Sequence, residues 1–216
     1  RDSWPRASRP IERSSRWPRS STPACSGRVR AKAMANHRYV VLLRGVNVGG
    51  KNLIKMSALA ACLEAAGFVD VVTYIQSGNV LISSPETRRP VLTRRLEQLL
   101  GERFAYRASV VIRDTRELRR VVDKAPPGFG GDPATYRYDV LFLKEPLTAA
   151  EAMKHVTIKE GVDEAHAGRG VLYCSRLVAR ASASQLSRLT QLPIYQRMTI
   201  RNWNTTTRLL QMMTEA

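Results

Sequence analysis

The chain has 216 residues, 44% hydrophobic and 25% charged, and carries a formal net charge of +17 from 35 Lys and Arg against 18 Asp and Glu. That length and apolar content suit one large domain or two small ones with a real core. The apolar runs are too short to span a bilayer, and Cys25, Cys62 and Cys174 show no CxxC spacing, so a membrane partner, a disulfide framework and a metal site are not expected and a reduced, cytoplasmic setting is.

The charge is uneven. Residues 1–33 hold nine cations against two anions, and the remainder is still +10. A basic body favours anionic partners such as a small anionic ligand or nucleic acid. The first 33 residues are rich in Arg, Ser and Pro with no apolar period, which predicts a disordered extension outside the folded domain. A nucleic-acid arm, a targeting peptide and a stretch upstream of a start at Met34 all fit that composition.

Elements then follow in order. Arg38–Leu43 reads as a buried strand; Met56, Leu59, Leu63 and Ala66 fall at helical spacing, with Gly67 closing that helix. "VDVVTYI" and "VLISS" read as a hairpin turned at "QSGN", and Pro90 opens a helix with Leu92, Leu96, Leu99 and Leu100 on its core face. "RASVVIR" is a fourth strand, and Asp114 caps a helix running to Lys124. This is the strand–helix–strand–strand–helix–strand order of a ferredoxin-like, split βαβ unit.

"PPGFGGDP", 126–133, reads as a linker, after which the order recurs: strand "YRYDVLFLKE", helix "TAAEAMKHV", strands near "VDEAHA" and "GVLYCSR", helix "SASQLSRLTQ", strand near "MTI" and a last helix. Ile112-Arg113-Asp114 and Ile200-Arg201-Asn202 end the two sets alike. The expectation is an α+β chain of two ferredoxin-like subdomains, 34–125 and 134–216, related by internal duplication.

"RGVNVGGKN", 44–52, nearly spells the phosphate-cradling pattern G-x-x-x-x-G-K-[ST], but Asn52 stands where the hydroxyl should be. A nucleotide loop, a plain strand-to-helix turn and a backbone nest that receives an anion stay open. The nest fits the residues best, with N–H groups of Gly49 and Gly50 beside Arg44 and Lys51. In a split βαβ sheet the end of the first strand lies at the same edge as the turn after the second, so Gln76, Ser77 and Asn79 are expected near Asn47 and Lys51.

"RGVNVGGKNLIKM", "TYIQSGNVLISS" and "RNWNTTTRLL" together resemble the Domain of Unknown Function 1697 family of bacterial proteins, over about Tyr39 to Met213. The resemblance implies two α+β subdomains and places residues 1–33 outside them. It implies no activity, and Lys51 departs from the residues that similar proteins carry there. In "RNWNT", Asn202 or Asn204 is placed to cap the last helix beside Arg201, and Trp203 reads as a buried anchor.

His37, His155 and His166 are too scattered for a metal spacing, and the cations of Arg116–Lys124 read as a solvated face interleaved by Glu117 and Asp123. The leading expectation is a small phosphate- or carboxylate-bearing ligand at the 44–52 and 76–79 loops, with catalytic residues and cofactors unassigned. An RNA-binding module or a protein-interaction scaffold are the alternatives, the first weakened by the lack of aromatics on the central strands.

Overall fold

A computed structural model of the chain describes residues 36–47 and 53–215. The extension over 1–33 and the loop residues Gly49, Gly50, Lys51 and Asn52 lie outside the described residues. The first half runs β1 (His37–Leu43), α1 (Met56–Ala65), β2 (Val69–Tyr74), β3 (Asn79–Ser84), α2 (Arg89–Phe104), β4 (Val110–Asp114) and α3 (Thr115–Asp123). The second runs β5 (Tyr136–Leu143), α4 (Ala149–Met153), β6 (Asp163–Gly168), β7 (Val171–Leu177), three 3-10 turns between Ala181 and Arg197, β8 (Met198–Asn202) and α5 (Trp203–Thr214). Each half closes an antiparallel four-stranded sheet, in the orders β2-β3-β1-β4 and β6-β7-β5-β8. The two orders are the same, and both are ferredoxin-like.

Strand alternation divides the apolar residues among three layers. Tyr39, Val41, Leu43, Val80, Ile82 and Ile112 face outward from the first sheet under Leu59 and Leu63 of α1 and Leu92, Leu96 and Leu100 of α2. Their neighbours Val40, Leu42, Leu81 and Val111 face the other way and meet Val140, Phe142, Val171 and Tyr173 of the second sheet, together with α3 and α5. Leu141, Leu143, Leu172 and Cys174 form the far layer with Ala152 and Leu189. Each fully buried leucine here contributes about 1.5–3 kcal/mol, and the apolar stretches 39–43 of β1 and 80–82 of β3 do not alternate with polar residues because both faces of these strands are covered.

Local signals set the helix ends. Asp114 accepts from Glu117 N at 2.8 Å while Glu117 accepts from Asp114 N at 3.1 Å, a reciprocal capping box at the start of α3. At the end of α1, Gly67 takes φ +85, and its N–H and that of Phe68 return to the carbonyls of Glu64 and Leu63.

One expectation changes. The helix expected over "SASQLSRLTQ" is a set of 3-10 turns, because its hydroxyls compete for the backbone: Thr190 donates to Ser187 O, and Ser184 Oγ takes Leu186 N. Buried Asp163 also holds Gln185 N at 2.8 Å. Within the largely exposed 126–133 segment, Phe129 turns inward and meets Tyr138, Tyr173 and Trp203 edge-on at ring centroids 4.9, 5.3 and 5.1 Å apart.

Candidate functional site

The loop and turn expected to meet at the end of β1 do so through Asn47. At φ +55, its Oδ1 accepts from Ile54 N at 2.8 Å, while its Nδ2 donates to Ile54 O at 3.0 Å and to Gln76 O at 2.8 Å. One amide thus closes the neck of the loop over 47–54 and ties it to the β2–β3 turn.

Deeper in, Asn79 is fully buried; its Nδ2 donates to Tyr74 O and Ser77 Oγ, and its Oδ1 accepts from Arg201 Nε. Arg201 crosses from β8 to do this. Its Nη2 donates to the carbonyls of Leu43 at 2.8 Å, Ser77 at 3.1 Å and Gly78 at 3.2 Å, and its Nη1 to Thr199 Oγ1 and Ile200 O. Burial pushes its pKa down to about 10, and every guanidinium nitrogen is engaged within the chain. Asn79 and Arg201 therefore join the two halves at the β2–β3 turn and the end of β1.

Asn202 and Asn204 serve the start of α5 instead. Asn202 Oδ1 accepts from Asn204 N at 3.0 Å as the helix cap, and its Nδ2 donates to Tyr138 O. Asn204 is exposed, and Trp203 is partly buried against Phe129.

Arg44 looks onto a different space. Its backbone N–H donates to Ser109 O, and the equivalent N–H in the second half, that of Lys144, donates to Arg197 O, both at 2.9 Å. These four residues and Arg107 line a cleft of about 390 Å³ between the ends of β1 and β5. Its carboxylates are Glu97, which pairs with Lys144, and Glu145, which lies 3.5 Å from Arg89 Nη1. Arg44 is steadied by Tyr195, whose carbonyl takes its Nε at 3.2 Å and whose ring lies 5.0 Å below the guanidinium. Among the described residues, Arg44, Arg107 and Arg197 make no ion pair; Arg197 contributes only to lowering the pKa of Glu151, after its Thr148 hydrogen bonds.

Sequence reading found Arg44 but missed Arg107, Lys144 and Arg197, which stand outside strand ends in unremarkable surroundings. The signal was present in the duplication: Leu42-Leu43-Arg44 aligns with Phe142-Leu143-Lys144, so a cation follows the first strand of each half. Among the described residues, no helix is long and apolar enough to cross a membrane, and no three His, Cys, Asp or Glu side chains group as a metal site.

The family model described as "Protein of unknown function (DUF1697)" matches residues 36–173. Among solved structures, the chain is similar to the conserved bacterial protein SP0830 from Streptococcus pneumoniae, at 25% identity and a TM-score of 0.72, over 83% of this chain and 99% of that one. No curated protein matches the chain.

Proposed function

The chain belongs to the DUF1697 family of proteins of unknown function, and within that frame we propose that it binds a small phosphate- or carboxylate-bearing ligand in the cleft between its two halves. The observation that carries this is the convergence of Arg44, Arg107 and Arg197 on one space without a carboxylate partner among the described residues. With Glu97 taken by Lys144 and Glu145 near Arg89, the three guanidinium groups leave the cleft an excess of positive charge, and an anion entering it offsets that excess while gaining charge-assisted hydrogen bonds. Arginine suits this role because its planar fork matches carboxylate and phosphate oxygens. A cleft of about 390 Å³ has the size of a small-molecule site, and Tyr195 holds one guanidinium in place before binding.

The glycine-rich stretch follows Arg44 in the sequence, so Lys51 and the N–H groups of Gly49 and Gly50 are proposed to add donors to the same ligand. A small ligand is favoured over RNA because the central strands β1 and β3 are covered on both faces, which leaves bases no sheet to stack on. The proposal is for binding, without a reaction.

Thermal denaturation with inorganic phosphate, phosphate monoesters and citrate tests it. A ligand bound by the folded state raises the melting temperature through RT ln(1 + [L]/Kd), and the rise should vanish when Arg107 and Arg197 are both replaced by alanine. No rise with any of these anions would refute the proposal.

A further inference from the structure

A second cavity, of about 350 Å³, has the opposite chemistry. Pro127 and Phe129 of the 126–133 segment line it, together with Tyr136 and Tyr138 of β5, Ser175 of β7 and Glu164 of β6, the last three of which are neighbours on adjacent strands of one sheet. Strand register accounts for the last pair: Glu164 lies opposite Ser175, and the serine hydroxyl donates to Glu164 Oε2 at 3.4 Å.

His166 also lines this pocket, and its Nε2 lies 3.8 Å from the same carboxylate oxygen. At 3.4 Å the serine–glutamate contact is too long to activate the hydroxyl, so these residues do not form a nucleophile with its base. Binding is what the arrangement offers.

Glu164 has no Lys or Arg within ion-pair distance among the described residues, in a chain whose cations outnumber its acids 35 to 18. The rings beside it are close, with Tyr136 and Tyr138 centroids 6.1 Å apart and Phe129 edge-on to Tyr138 at 4.9 Å. Aromatic faces and a carboxylate both carry negative potential, and together they attract a cation while repelling the anions that suit the first cleft.

We propose that this pocket binds an organic cation, an alkylammonium or guanidinium group, with its charge against Glu164 and its carbon groups against Tyr136 and Tyr138. A neutral molecule of the same shape gains the ring contacts but no attraction to the exposed carboxylate, so the site selects for charge. The proposal is independent of the anion cleft, with which it shares no residue.

Ligand-observed NMR with the full chain tests it, using tetramethylammonium and methylguanidinium as probes and neopentyl alcohol as the neutral counterpart of the first. Tetramethylammonium or methylguanidinium should bind and neopentyl alcohol should not. Glu164→Gln, which keeps the shape and the serine contact, should weaken cation binding by about tenfold. Tyr136→Ala should weaken it as well, with the fold checked by circular dichroism. Equal binding of the neutral probe, unchanged affinity in Glu164→Gln, or no binding of either cation up to about 10 mM would overturn the proposal.

Discussion

Arg113 and Arg201 hold equivalent places on the last strands of the two halves, and each reaches across to the other half. Arg113 donates to the carbonyls of Leu143 at 2.7 Å and Gly170 at 2.9 Å, and Arg201 to those of Leu43 at 2.8 Å and Gly78 at 3.2 Å. In both cases the target is the end of the other half's first strand and the turn before its third. The duplicated chain is thus stapled twice, by a buried cation from each copy.

Removing one staple should be costly. Arg201→Met leaves the Leu43, Ser77 and Gly78 carbonyls and Asn79 Oδ1 buried without their donor, so urea denaturation should show a loss of about 3–5 kcal/mol. Asn79→Ala should cost about 1–3 kcal/mol, and the double variant should lose less than the sum because the two side chains act as a unit. Arg107→Ala, on the surface, should stay within about 0.5 kcal/mol of the parent. Full additivity of Asn79→Ala and Arg201→Met would contradict the contact.

Glycine substitutions distinguish a packed 126–133 segment from a loose one. A Cβ on Gly130 would lie 2.1 Å from Trp203 Nε1, at φ +86, whereas one on Gly128 meets nothing within 4 Å at φ +76. Gly128→Ala should cost only the roughly 1–2 kcal/mol of left-handed backbone. Gly130→Ala should add an overpacking cost of about 1–3 kcal/mol and shift the tryptophan emission. Equal stability of the two variants would show that the segment yields freely.

Much of the first half was legible because its signals are local and consistent: the run ending at Leu43, Gly67 after α1, Pro90 at the start of α2 and Asp114 at the start of α3 each carry their own stereochemical reason. The meeting of Asn47 with the Gln76 turn was legible too, since strand order alone dictates it. What escaped was set at long range. The turns over 181–191 depend on Asp163, which reaches Gln185 from 22 residues away. The roles of Asn79 and Arg201 depend on how two sheets pack across 122 residues of chain, and no periodicity encodes that.

Alkaline pH should weaken the fold in a defined order. Burial raises the Cys174 thiol from 9.0 to about 12, with Asp139 and Asp163 adding to the effect, and raises Tyr106 and Tyr173 from 10.0 to about 12. These groups keep their protons in the folded state after the unfolded chain has lost them. Their stabilisation is therefore complete below the unfolded values and falls as pH rises through the folded ones. Arg201, lowered to about 10, acts in the opposite sense only above that pH. Between pH 9 and 10 the decline should come mainly from Cys174, with Cys62, also raised by burial, adding to it. Urea midpoints measured across that interval should fall, and less steeply in Cys174→Ala; an identical slope in that variant would contradict the assignment.

Calorimetric titration of the chain with inorganic phosphate and a phosphate monoester, repeated with Arg107→Ala, Arg197→Ala and Lys51→Ala, tests the anion cleft most directly. The account predicts saturable binding, weakened by each arginine substitution by about 1.5–3 kcal/mol, the range for a hydrogen bond to a charged group, with unliganded stability nearly unchanged. Weaker binding in Lys51→Ala would extend the site into the glycine-rich loop, and unchanged binding would confine it to the cleft. Absence of saturable heat with either anion, or an affinity that survives the joint loss of Arg107 and Arg197, would contradict the account.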